Sequence, residues 1–222
     1  MSVGARPQAP GTAQQHAVAS LRWLIVSGAL RPGARVNQED VAAQLGLSVA
    51  PVREALRVLE QEGQVTYLPR RGYFVTELRV EDLEEIYALR ALLEARAARH
   101  ALPVLDEEAV ARVREAAREC VEAAETGDVA AELAANRRFH FGLLEVPGQP
   151  HALRVIRLLW DSTEAYRAMY YNSPDERRAS LHAHDRILDA VQARDADRLV
   201  VELDEHRERA LEVLRGILEE PS

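Results

Sequence analysis

The feature that most restricts the fold of this chain is a change of period near Val80. Upstream, short helical stretches give way to two β-rich runs. Downstream, apolar residues recur at i, i+3, i+7 and i+10, the spacing of one helix face, for the rest of the chain. Breaks at Pro103–Asp106, Gly127–Asp128, Pro147–Pro150, Ser173–Pro174 and Asp195 cut that stretch into six helices. They are expected at about 81–101, 107–126, 129–146, 151–172, 175–193 and 196–219. Ser173 and Glu176 form a capping box, with Pro174 at the first helical position. The expectation for 79–222 is therefore an all-α, antiparallel bundle of about six helices.

The upstream part reads differently. Helices are expected over 13–27, stopped by Gly28; over 38–45, stopped by Gly46; and over 51–62, with Ser48 as N-cap and Gly63 at the end. Runs at 64–68 and 73–77 flank the turn Pro69-Arg70-Arg71-Gly72, which predicts a hairpin. Residues 1–12 read as a disordered tail. Three short helices and a hairpin within 13–78 are the layout of a winged helix-turn-helix, whose third helix enters a DNA major groove while the wing touches the backbone or minor groove. Val41, Leu45, Val52, Leu56 and Leu59 form its apolar seam. Ser48 and Arg53 fall at the exposed start of the third helix, where a hydroxyl, free N–H groups and a guanidinium suit phosphates and base edges. The fold class is mostly α, in two domains.

Charge distribution agrees with that division. The chain carries a net −8, but residues 1–78 hold +2 and residues 79–222 hold −10, and every basic residue is an arginine. A single cysteine, Cys120, excludes an intrachain disulfide and a Cys-based zinc cluster. No apolar stretch nears the ~18 residues that span a bilayer, and the N-terminus lacks a signal-peptide pattern. The expectation is a cytoplasmic protein with no membrane partner.

The run Gly46-Leu47-Ser48-Val49-Ala50-Pro51-Val52-Arg53-Glu54-Ala55-Leu56, followed by Leu59-Glu60-Gln61-Glu62-Gly63 and Arg70-Arg71-Gly72-Tyr73-Phe74-Val75, resembles the GntR family of regulators. With the helical remainder, the likeness extends over about 13–215 to the FadR subfamily, whose effector domain is called FCD. The resemblance implies a homodimeric, sequence-specific transcriptional regulator of double-stranded operator DNA, in the sense of a repressor, controlled by a small organic acid. It carries over Ser48, Arg53, Arg71 and Gly72 as DNA-binding positions. Val49 and Ala50 stand where the family usually has Arg and Thr or Ser, which removes a guanidinium and a hydroxyl from the recognition surface.

In the bundle, five core-facing lines each contain misplaced polar residues. They are Arg90 in the first helix, Asn136 and His140 in the third, Thr163 and Arg167 in the fourth, His184 in the fifth and His206 in the sixth. Buried polar groups without partners are costly, so several on different helices imply a shared internal cavity. His182, about 200° around the helix from His184, should face solvent. His16 and His151 also read as surface residues.

The FCD resemblance implies that Asn136, His140, His184 and His206 bind a divalent transition metal such as Zn²⁺ or Ni²⁺, with Asn136 the weakest donor. The residues alone leave open a hydrogen-bonded cluster that takes an organic ligand without metal. Arg90 matches a family arginine that points into the pocket, and a guanidinium facing an open metal position suits a carboxylate clamp. Its alternative is a structural pair with Glu94. Arg167 and Thr163 are effector-binding candidates on periodicity alone. The coupling to DNA is expected through the Leu78–Val80 junction. A metal-dependent hydrolase using the three histidines is the competing class, but no His-Glu-x-x-His run or nucleophile motif supports it.

Overall fold

The computed structural model describes residues 11–145 and 148–219. The expected tail over residues 1–10, Val146 at the end of the expected third bundle helix, Pro147 in the loop after it, and residues 220–222 of the expected second domain lie outside them. Thr12, expected in the tail, instead caps helix α1 (Ala13–Val26): its hydroxyl accepts from Gln15 N and Gln15 returns the bond, a capping box. Helices α2 (Gln38–Leu45) and α3 (Val49–Gln61) follow, α3 starting two residues earlier than the pattern suggested. Strands β2 (Val65–Leu68) and β3 (Gly72–Val75) form the hairpin, and a two-residue strand β1 (Arg35–Val36) adds to its other edge, in the antiparallel order β1-β3-β2. Leu21, Ile25, Val41, Val52, Leu56, Leu59, Val65 and Val75 bury the core of this module.

The bundle comprises α4 (Val80–Ala101), a 3₁₀ turn (Leu102–Val104), α5 (Glu107–Thr126), α6 (Val129–Leu144), α7 (Pro150–Ser162), α8 (Glu164–Tyr171), α9 (Pro174–Gln192) and α10 (Ala196–Glu219). Its core gathers Val113, Phe139, Leu143, Ile156, Trp160, Ile187, Leu199 and Leu203. A Cβ on Gly142 would come within 2.8 Å of Val113 Cγ2, so glycine is what lets α6 lie this close to α5.

One expected helix is two. The stretch 151–172 breaks at Thr163, whose φ and ψ are −105° and 7°, so the described bundle has seven α-helices rather than six. Ser162 donates its hydroxyl to Leu159 O, and Thr163 donates to Leu159 O and Trp160 O. These bonds occupy carbonyls at the helix end and favour its termination.

The break directs α8 toward the DNA-reading module. Ala165 packs against the apolar core of that module, Gln64 Nε2 donates to Glu164 Oε2 at 3.4 Å, and Leu78 N donates to the Tyr166 hydroxyl at 2.7 Å.

Candidate functional site

Three helices bring the histidines together. His140 on α6, His184 on α9 and His206 on α10 each offer a ligand atom within 4.8 Å of the others. Their ring centroids form a nearly equilateral triangle of 5.4, 5.2 and 5.2 Å. Asn136, one turn before His140, places Oδ1 3.1 Å from His184 Nε2. Phe139 stacks on the His184 ring at 4.1 Å and fixes its plane.

Burial holds the His140 and His184 imidazoles well below the usual range, helped by the neighbouring histidines. His206 falls to about 4, first through burial and then through Arg90 and Arg207. All three rings are thus neutral near pH 7, with lone pairs free to bind a cation.

The donor set fits a divalent ion. His184 Nδ1 is buried with no partner, an unsatisfied polar atom on one of the three clustered rings. The Asn136–His184 contact is hydrogen-bond length, and it is also close to the ~3 Å that separates neighbouring donors sharing one ion at ~2.1 Å. His182 is exposed, as expected of the control position, and so is His151, whose Nδ1 lies 3.1 Å from Arg154 Nη2. His16 departs from expectation: it is half-buried, and its Nδ1 is enclosed without a partner.

Beside the triad lies a small cavity of about 30 Å³, lined by Tyr87, Arg90, Asn136, His140, Trp160, Arg167, Tyr170, Tyr171, His206 and Arg207. Its charge is organised around Glu94, which accepts from Arg90 Nε at 2.8 Å, Trp160 Nε1 at 2.7 Å and Arg207 Nη2 at 3.1 Å. Burial alone would raise this carboxyl, but Arg90 and then Arg207 outweigh it and hold it below its usual value. Arg90 thus forms the structural pair with Glu94 and also lines the cavity.

Arg167 also lines the cavity, its guanidinium carbon 4.3 Å from the Trp160 ring centroid, as is that of Arg90. Burial, with Arg90 nearby, lowers its pKa. Thr163 does not line the cavity: it is buried and its hydroxyl is committed to backbone carbonyls, so its place on the apolar line reflects the helix break. Arg207 went unremarked because the trace along α10 passed through its neighbour His206. The spacing Leu203, Arg207, Leu214 runs along the same buried face and would have revealed it.

On the other module, Ser48 is the exposed N-cap of α3 and makes no side-chain capping bond, which leaves its hydroxyl available. Arg53 is exposed and held at 3.4 Å by Gln38 Oε1. Val49 is half-buried against the apolar core while Ala50 is exposed, so neither presents a polar group.

In the wing, Arg71 N bonds to Leu68 O, and Arg70 takes φ 65° after Pro69, the positive φ that a type II turn requires of its third residue. Gly72 follows at φ 92°, a backbone that side chains rarely adopt. Arg71 leans over Phe74 at 5.2 Å. Arg35, which only strand β1 places here, comes beside Gly72. With Arg57, this surface exposes five arginines on one small module, a charge pattern suited to phosphates.

A three-helix winged module joined to a helical domain with an internal polar pocket defines a DNA-binding transcriptional regulator, not an enzyme. Residues 13–75 match the family of bacterial regulatory proteins called gntR, and residues 85–209 match the FCD domain. The chain belongs to the GntR family and carries an FCD domain. It is 30% identical over 203 residues to the Nta operon transcriptional regulator of Aminobacter aminovorans, covering 89% of this chain and 94% of that one. It is 29% identical over 197 residues to the regulator McbR of Escherichia coli, covering 85% and 89%. The solved structure of E. coli McbR/YncC superposes with a TM-score of 0.81 at 27% identity, covering 93% of this chain and 99% of that one. A putative GntR regulator from Rhodococcus sp. RHA1 gives 0.77 at 25% identity, covering 91% and 97%. The hydrolase alternative is set aside. No helix among the described residues is long and apolar enough to cross a membrane.

Proposed function

We propose that this regulator is a cytoplasmic, homodimeric repressor whose operator affinity is set by a small organic acid bound beside a divalent transition metal, Zn²⁺ or Ni²⁺. One observation carries the reading: the cluster of His140, His184 and His206 abuts a cavity that His140, His206 and three arginines, Arg90, Arg167 and Arg207, line together. His140, His184 and His206, with Asn136, are the residues that would hold the metal. The ion would supply positive charge and open coordination positions for an acid. Arg90 would grip a carboxylate while Glu94 keeps its guanidinium oriented.

Ser48, Arg53, Arg71 and Gly72 would contact DNA, with Arg53 reading base edges and Arg71 the backbone. A recognition helix reads only a few base pairs, so a two-fold operator calls for two chains. The route from pocket to DNA would run through α8, where Arg167 lines the cavity and the adjacent Tyr166 holds the Leu78 backbone. An acid shifts the operator equilibrium only as far as it binds the two arrangements unequally.

The test is elemental analysis of purified protein combined with operator mobility shifts with and without added acid. One metal per chain is expected, lost in His140→Ala, His184→Ala and His206→Ala and kept in His182→Ala. Metal loss in His182→Ala would overturn the facing argument. A metal-free wild type that still binds acid would instead favour the hydrogen-bonded cluster suggested by the Asn136–His184 contact.

A further inference from the structure

Three arginines of the bundle are buried: Arg90, Arg167 and Arg207, each about 5% exposed. Two of them are answered. Arg90 pairs with Glu94 at 2.8 Å, and Arg207 pairs with Glu94 at 3.1 Å and with Asp204. Arg167 has no carboxylate in ion-pair contact among the described residues. Its Nη2 donates to Trp160 O at 3.3 Å, while Nε and Nη1 are enclosed without any partner. Stacking on Trp160 offsets part of the charge, but it satisfies neither N–H group. An uncompensated buried cation with idle donors is costly and points to a missing anion.

The missing anion is in addition to the one already invoked. The carboxylate assigned above is the one that Arg90 and the metal would hold. Arg167 enters from another helix, α8, where burial and then Arg90 disfavour its charge, with Glu164 opposing them. With Glu94 and Asp204 balancing Arg90 and Arg207, Arg167 is the buried arginine of the pocket that lacks an ion pair among the described residues, Glu164 favouring its charge only from beyond ion-pair distance.

Building on the carboxylate reading, we propose that Arg167 holds a second anionic group of the effector, which makes that effector a short dicarboxylate rather than a monocarboxylate. Because Arg167 is followed on α8 by no other cavity cation and preceded by Tyr166, which grips the Leu78 backbone, the second carboxylate engages the helix that touches the DNA-reading module. A monocarboxylate can pair with Arg90 and leave α8 unengaged.

The experiment is titration calorimetry on the full-length, metal-loaded protein with acetate, malonate, succinate and glutarate, paired with operator mobility shifts. At least one diacid should bind wild type roughly tenfold or more tightly than acetate, the worth of one charge-assisted pair, and should shift operator affinity where acetate does not. Arg167→Met should bring diacid affinity down toward that of acetate, weakening the diacid much more than acetate. Arg167→Lys, which keeps the charge and loses the planar fork, should retain part of the preference. The melting temperature of metal-free Arg167→Met should equal or exceed that of wild type, because a buried unpaired charge is gone.

If acetate binds and every diacid stays within about threefold of it, a difference too small for a charge-assisted pair, the second subsite is refuted and the monocarboxylate reading stands. Unaltered diacid preference in both Arg167 variants refutes it equally. If no acid binds wild type, the carboxylate reading itself fails and this inference falls with it.

Discussion

Replacing Glu94 by alanine removes the one acceptor shared by Arg90, Trp160 and Arg207, which come from α4, α7 and α10. Glu94 is 2% exposed, so solvent cannot substitute for it. Arg90 would lose its acid, and Arg207 would keep only the half-exposed Asp204. Breaking a buried ion pair from one side costs about 3–5 kcal/mol, mostly as the penalty of the charge left behind. In a chain of this size each kcal/mol moves the melting temperature by roughly 2–4 °C, so a fall of roughly 6–20 °C is expected. Glu94→Gln preserves volume and one acceptor for Trp160 but not the charge, and should fall nearly as far. Thermal unfolding of metal-free protein at pH 7.5, followed by circular dichroism, measures both. A shift of less than ~2 °C in Glu94→Ala, below the effect of one kcal/mol, would refute the view that this carboxylate organises the pocket.

Other outcomes follow from the same geometry. Metal-free protein should lose stability as pH falls through 6.5: the three pocket histidines have depressed folded values, so the unfolded chain takes up protons that the folded chain refuses. Glu132 opposes this trend. Burial raises it to about 7 despite Arg177, so its contribution is full below the ordinary 4.5 and is lost as pH rises toward 7. The loss on acidification should steepen in Glu132→Gln; denaturant titrations showing a flat profile would contradict it. Arg53→Ala should abolish operator preference, at about 1–3 kcal/mol per base contact, whereas Arg71→Ala should weaken all duplexes and flatten the salt dependence; binding titrations at several salt concentrations separate the two. Tyr166→Phe should leave acid and operator binding individually intact but reduce the effect of one on the other, because the Leu78 N–H loses its acceptor. Undiminished coupling in a mobility-shift titration would exclude α8 as the route.

Periodicity was the most informative signal for the pocket. Helix geometry assigns each residue a direction, so Asn136, His140, His184 and His206 could be placed inward and His182 outward before any fold was known, and the structure brings the four together. The same reasoning missed the break at Thr163. The line Leu153, Ile156, Trp160, Thr163, Arg167, Tyr170 keeps its face across the kink, and a pattern that reads only direction cannot see a bend that preserves it. Strand β1 was invisible for a different reason: two residues have no period, and Arg35–Val36 is a strand only because β3 lies alongside.

By itself the sequence determined the local terms: where helices start and stop, which face of each is apolar, and the helix-turn-helix motif with its wing turn. These depend on backbone sterics, capping and side-chain spacing within a few residues. Only the tertiary structure decided the pairings. That Glu94 answers both Arg90 and Arg207 while Arg167 forms no ion pair among the described residues depends on distances between helices up to 113 residues apart in sequence. Electrostatic energy follows separation in space, and nothing along the chain records that separation until the helices have packed.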